Sequence, residues 1–254
     1  QWMAGHGGVI YKYDIHLSQV LDSLAVSGDW ILDIDYDHQR KYVYSVGLDK
    51  RLRVCRADRL AIIDESTVFR NPLRIVRASP TGSLVAVVDF EDNVYIVDAK
   101  TLRKIKRLPW RDEVISEVEW SQDERYLLTH RRTSGLEYEG TGLNASRVWN
   151  LEREEEERKF YSQDTLNLPE LAAMNPRRPE LIIGGNGLPL RVFDLESGRH
   201  VATSGPMGQL TGSVTYSPSG EEFITATHEA QYNNWSFREK TSEQRSRIVI
   251  WEAN

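Results

Sequence analysis

Ala78-Ser79-Pro80-Thr81-Gly82 returns late in the chain as Tyr216-Ser217-Pro218-Ser219-Gly220, and three further segments are variants of the same phrase: Tyr36-Asp37-His38-Gln39, Trp120-Ser121-Gln122-Asp123 and Met174-Asn175-Pro176-Arg177. Each copy is an aromatic or apolar residue, then a small or polar one, then usually Pro or another turn former, and then a polar pair ahead of a hydrophobic run. Successive copies lie 42, 42, 54 and 42 residues apart. A second anchor, an alternating strand that often ends in an aromatic plus an acid or amide, keeps step at Tyr13-Asp14, Cys55-Arg56, Val97-Asp98, Trp149-Asn150, Phe193-Asp194 and Trp251-Glu252. From first anchor to second the count is 19, 19, 29, 19 and 35, and from second to next first it is 23, 23, 23, 25 and 23.

A period of this length carrying short alternating strands predicts a sheet that cannot bury both faces until neighbours stack on it, which is the unit of a β-propeller. Residues 30–69 give the template. Leu32, Ile34 and Tyr36 alternate with Asp33, Asp35 and Asp37, the period-2 mark of a strand with one wetter face, followed by a turn at His38-Gln39-Arg40. Tyr42 to Val46 is β-branched and aromatic and ends at Gly47, ahead of Leu52-Arg53-Val54-Cys55, and Leu60 to Asp64 completes four strands, a to d. The same template predicts strands at 73–78, 84–88, 94–97 and 103–108, and again at 181–183, 190–193 and 200–203. The fold class expected is therefore all-β: a propeller of four-stranded antiparallel blades, about six of them visible. One domain, 1–254, divides into blades at about 1–26, 27–69, 70–110, 111–164, 165–205 and 206–254.

Phe193-Asp194-Leu195-Glu196-Ser197-Gly198 and Tyr216-Ser217-Pro218-Ser219-Gly220 resemble the strand-c ending and the a-to-b turn of WD-repeat propellers, and the register covers the whole chain. The resemblance is to a degenerate form. The family's Gly-His pair is missing, with Ser27-Gly28-Asp29-Trp30 and Pro109-Trp110-Arg111-Asp112 standing in those regions. Without that His the family's buried Trp, Ser/Thr, His and Asp network is incomplete, so the blades are expected to lean on apolar packing between sheets. On this template the chain opens at strand b and stops after a strand c, so the first blade lacks strand a and the last lacks strand d. The expectation is an excerpt of a longer chain, six- or seven-bladed when whole, or a ring that takes strands from another segment or partner, because unpaired edges invite pairing.

Composition narrows the function. The net charge is -6 with charges of both signs interspersed, and no concentrated basic face is visible, so a nucleic-acid partner is not expected. A single cysteine, Cys55, excludes an internal disulfide and points to an intracellular, cytoplasmic or nuclear location. No apolar run reaches the ~18 residues of a membrane helix.

Because loops on a rigid scaffold are where recognition concentrates, the breaks in the repeat are the candidate site. The two insertions fall within 131–145 and 229–246, both b-to-c loops, which should share a face with the d-to-a loops bearing Trp30 and Trp110. Aromatics and Arg are the residues most enriched at binding hot spots. Arg131, Arg132, Tyr138, Tyr232, Trp235, Phe237, Arg238, Trp30 and Trp110 are accordingly the candidate contacts for a peptide or protein partner. The competing explanation is that these aromatics pin each loop to its own blade. The charged run from Glu152 to Lys159 reads as a solvated c-to-d turn, and the Asn144 and Asn234 glycosylation triplets as coincidences.

Little in the sequence suggests chemistry. The six histidines His6, His16, His38, His130, His200 and His228 form no metal pair, so no metal or cofactor is expected. Cys55 has no neighbouring histidine to activate it. Asp33 with Asp35, and Glu117 with Glu119, are the carboxylates a propeller hydrolase or lyase would set around a central channel, and solvated strand faces explain them equally well. Gly184-Gly185-Asn186-Gly187 has no helix after it and reads as a turn. A non-catalytic interaction scaffold is the expectation; a channel-lined enzyme or a small-molecule sensor is the alternative.

Overall fold

The computed structural model describes residues 2–4, 7–108, 114–130, 146–153, 157–160, 171–185, 188–203, 210–229 and 245–252. All regular structure among them is antiparallel β, with no helix and hence none long and apolar enough to cross a membrane. The chain divides into two compact units, Gln1–Trp120 and Ser121–Asn254.

Successive strands pair as meanders. The first sheet has β1 (Trp2–Ala4), β2 (Val9–Asp14) and β3 (Gln19–Ala25). The second has β4 (Ile31–Asp37), β5 (Tyr42–Gly47), β6 (Leu52–Arg56) and β7 (Ala61–Glu65), and the third β8 (Leu73–Ala78), β9 (Leu84–Asp89), β10 (Val94–Asp98) and β11 (Lys104–Leu108). The order β12-β13-β14-β15 runs through Glu117–Trp120, Tyr126–His130, Ser146–Asn150 and Glu157–Phe160. The fifth sheet is β16 (Leu171–Met174), β17 (Glu180–Gly185), β18 (Leu188–Asp194) and β19 (His200–Thr203). The last is β20 (Leu210–Tyr216), β21 (Glu222–Glu229) and β22 (Arg245–Glu252). Among the described residues, the first and last sheets thus have three strands and the others four.

Both sequence anchors are turns closed by their own side chains. Asp37 Oδ1 accepts from the backbone N–H of Gln39 (2.8 Å) and Arg40 (2.9 Å), and Asn175 Oδ1 accepts from Arg177 (2.9 Å) and Arg178 (3.2 Å). At the equivalent places Ser79 Oγ accepts from Leu84 N–H at 2.9 Å and Ser121 Oγ from Tyr126 N–H at 2.9 Å. The acid or amide ending β2, β10, β14 and β18 acts likewise: Asp14 on His16, Asp98 on Thr101, Asn150 on Glu152 and Asp194 on Ser197. These side chains hold the backbone in turns that regular pairing cannot close, which is why short polar residues recur there.

Apolar packing joins consecutive sheets within each unit. In the first unit Tyr44, Val46, Leu52 and Val54 of the second sheet pack on Leu73, Val76, Val85 and Val87 of the third, while Ile10 and Val26 pack on Val43 and Cys55. In the second unit Tyr126, Leu128 and Val148 pack on Met174, Leu181 and Ile183, and Ile182 and Leu190 on Val214 and Phe223. The polar alternation of β4 has a role beyond wetting one face. Asp33 Oδ2 accepts Val76 N–H (3.0 Å) and Arg77 Nη1 (2.6 Å), and Asp35 Oδ2 accepts Ala78 N–H (2.7 Å), so these carboxylates tie β4 to β8. Trp120 Nε1 donates to Arg77 O at 2.9 Å one repeat further on.

Candidate interaction surface

Of the residues singled out for recognition, Trp30 lies within the described structure, whereas Trp110, Arg131, Arg132, Tyr138, Tyr232, Trp235, Phe237 and Arg238 lie outside the described residues, as do Asn144 and Asn234. The inserted segments connect β13 to β14 and β21 to β22, second strand to third, as the register required.

Trp30 is held by its backbone and displayed by its side chain. Ser27 Oγ donates to Asp49 Oδ2 (2.6 Å) and accepts Asp29 N–H (3.0 Å), Asp29 caps Trp30 N–H (2.8 Å), and Leu48 N–H donates to Trp30 O (3.0 Å). Gly47 is required at this crossing, because a Cβ there would overlap the Trp30 carbonyl. The indole is 49% exposed. One repeat later Pro72 O accepts Phe90 N–H at 3.0 Å, so Phe90 occupies the position of Leu48 and is 53% exposed. Val68 and Val114, on the connections flanking the third sheet, are exposed as well. Phe90, which is not among the residues singled out above, lies 42 residues after Leu48 at a turn position that does not require an aromatic, and that offset is the signal that marks it.

This end of the first unit rests on a buried polar knot. Asp89 is fully buried and its carboxylate accepts from Asn71 Nδ2 (3.0 Å), Asn93 Nδ2 (2.8 Å), Asn93 N–H (2.9 Å) and Tyr95 Oη (3.3 Å). Burial, with the Asp89 charge beside it, pushes the Tyr95 phenol upward. Asp92 pairs with Arg74 and takes Ile115 N–H at 2.8 Å, so it fixes the connection bearing Val114. Lys104 Nζ stands 3.9 Å over the Phe69 ring. The exposed apolar residues are thus carried on turns whose polar groups are internally engaged.

Several of the groups considered for chemistry are engaged structurally. Burial raises Asp35 above its ordinary value of 3.8, and its oxygen is already bonded to β8. Burial pushes the Cys55 thiol up to about 11, far from a reactive thiolate. His130 Nδ1 meets Ser146 Oγ at 2.9 Å inside β13 and β14, beside a Trp149 Nε1 donation to Thr129 Oγ1 at 3.0 Å. That buried pairing of Trp with Thr was not foreseen from the sequence. Among the described residues no cluster of three or more His, Cys, Asp or Glu is placed to hold a metal. Gly184-Gly185 ends β17 ahead of β18, a hairpin.

No family model matches the chain, and a search of curated proteins returns no match.

Proposed function

We infer that the chain is a β-propeller of the WD-repeat kind, with degenerate repeats, that works as a non-catalytic scaffold for a protein or peptide. The observation that carries this reading is the pairing of rigidity with display at one end of the first unit's sheets. Trp30 and Phe90 stand half-exposed on connections whose backbones are fixed by Leu48, Pro72 and the Asp89 knot. Rigid aromatics lose little entropy on docking, which is what makes them hot-spot residues. Asp33 and Asp35, the acids an enzyme would place in a channel, are engaged as ties between β4 and β8, and this weighs against the catalytic alternative. The inserted segments 131–145 and 229–246 belong to the same class of connection as Phe90 and would extend the same recognition.

The test is partner capture by a Trp30→Ala/Phe90→Ala double variant beside the Arg131→Ala/Trp235→Ala pair. Each should melt at the temperature of the parent and bind the captured partner at least about tenfold more weakly, the scale of a single hot-spot loss. Capture that both variants leave unchanged would remove this face from the proposal.

A further inference from the structure

The outer strands of the sheets share a shape and differ in charge. β11 reads Lys104-Ile105-Lys106-Arg107-Leu108, and Arg103 stands just before it, so the stretch 103–107 is four cations around one isoleucine with no acid. The other outer strands are unlike it. β3 carries Asp22, β7 carries Asp64 and Glu65, β15 mixes Glu157 with Arg158 and Lys159, and β19 has no Lys, Arg, Asp or Glu. β11 also ends its sheet. The order β11-β10-β9-β8 pairs it with β10 alone, and its other backbone edge has no partner among the described residues.

A bulge at Ile105 decides where the cations point. Lys104 stands opposite Val97, Lys106 opposite Ile96 and Arg107 opposite Tyr95, so Lys104 and Arg107 share one face of the sheet and Lys106 takes the other. Neutral groups hold two of them. Lys104 Nζ lies 3.9 Å over the Phe69 ring and 5.2 Å from that of Tyr95, and Arg107 Nη2 donates to Asn93 Oδ1. Ile105 is 58% exposed between them. Three carboxylates belong to this neighbourhood. Asp98 is engaged by its own turn through the N–H groups of Lys100 and Thr101, Asp89 is buried in its knot, and Glu91, which acts with Asp89 on Tyr95, is on the turn between β9 and β10. None of the three forms an ion pair with Arg103, Lys104, Lys106 or Arg107 among the described residues, and the edge itself is left positive.

We propose that the free edge of β11 takes up an extended acidic segment of a partner protein as an added strand. Backbone bonds to the unpaired edge attach the segment, and an aliphatic side chain lies beside Ile105. Its carboxylates meet Lys104 and Arg107 on one face and Arg103 and Lys106 around the remainder, as charge-assisted contacts. Cations that turn away a basic or neutral strand select one of opposite sign, so a single set of side chains guards the edge and chooses its occupant. This surface rests on β11 and is independent of the function proposed for the Trp30 end.

Fluorescence anisotropy on the full chain tests this with a labelled nonapeptide whose Glu residues surround a central Val, its Gln counterpart, and two forms of the Glu peptide N-methylated at alternate residues. The Glu peptide should bind at least about tenfold more tightly than the Gln peptide, and more weakly as salt rises. Successive amides of an extended strand point to opposite edges, so one N-methylated form should lose at least about tenfold while the other keeps its affinity. Arg103→Gln/Lys106→Gln should weaken the Glu peptide about tenfold and leave the Gln peptide unchanged. Arg103 is exposed and Lys106 half-buried, so this variant should melt with the parent, and the four peptides on the parent chain decide the outcome if it does not. Equal binding of the Glu and Gln peptides, equal behaviour of the two N-methylated forms, a folded Arg103→Gln/Lys106→Gln variant of unchanged affinity, no binding at millimolar peptide, or tighter binding of a single-stranded oligonucleotide would each overturn the proposal.

Discussion

Ser18, Leu60 and Leu102 all have positive φ, at 50°, 45° and 52°, and Gly198 stands in the same register at 71°. A second series comprises Gly8, Lys50 and Asp92 at 80°, 67° and 59°, and a third Gly82, Glu124 and Gly220 at 74°, 59° and 71°. The repeat is therefore written in backbone conformation as well as side chains, and glycine appears only at some members because other residues tolerate the left-handed region at a cost. At Gly82 and Gly220 the demand is double, since a Cβ would also run into the Asp37 carboxylate or the Asn175 side-chain carbonyl of the preceding sheet. Gly82→Val should cost about 2–3 kcal/mol in urea unfolding, from strain plus overlap, whereas Gly28→Ala, which meets nothing, should stay within about 0.5 kcal/mol. Asp89→Ala removes the acceptor of the buried knot and should cost about 3 kcal/mol or more, with Asp89→Asn intermediate. Cys55 should resist an aromatic disulfide reagent at pH 8 until the chain is unfolded; prompt modification of the native protein would place that thiol outside the core.

At the scale of the element, β4 and β8 show how far sequence carries. The strand expected at 73–78 is β8, Leu73–Ala78, because β-branched alternation and the flanking turn residues specify a strand directly. The same alternation in β4 announced two faces and did not say what covers the polar one. Asp33 and Asp35 looked solvated or catalytic, and they turn out to accept bonds from β8, since a lone period-2 pattern contains no information about the neighbouring sheet's unpaired N–H groups. Recognition was less legible. Trp30 is legible as an aromatic in a connection, but Phe90 matters through its equivalent Leu48, 42 residues away, and only comparison of aligned repeats isolates it. The Asp35 environment also predicts a pH response. Its value in the folded protein lies above 3.8, so its protonated form favours folding below 3.8 and that contribution is lost as pH rises through the folded value. Asp35→Asn, which can still accept Ala78 N–H, should raise the melting temperature at neutral pH, with the difference vanishing below pH 3.8. A variant equally destabilised at both ends of that range would refute the assignment of burial as the dominant influence.

At the scale of the molecule, the outer strands repeat as faithfully as the turns. Leu21, Ile63, Ile105 and Val201 occupy one register position on β3, β7, β11 and β19, and all four are exposed. Nearby charges such as Asp22, Asp64, Lys104 and Lys106 are of the kind that keep edge strands from pairing with other chains. Meander sheets of this size with apolar faces on both sides are stabilised by stacking on neighbours, and the proposed ring is one way to stack them while a row is another. These two arrangements differ in where equivalent outer residues lie. The most direct measurement is pulsed electron spin resonance on Leu21→Cys/Ile105→Cys and Leu21→Cys/Val201→Cys pairs, spin-labelled in a Cys55→Ser background. A ring brings the fifth sheet back toward the first, so the Leu21–Val201 distance should fall within about a quarter of the Leu21–Ile105 distance. A Leu21–Val201 distance about twice the Leu21–Ile105 distance would mean sheets in a row, and would contradict the propeller.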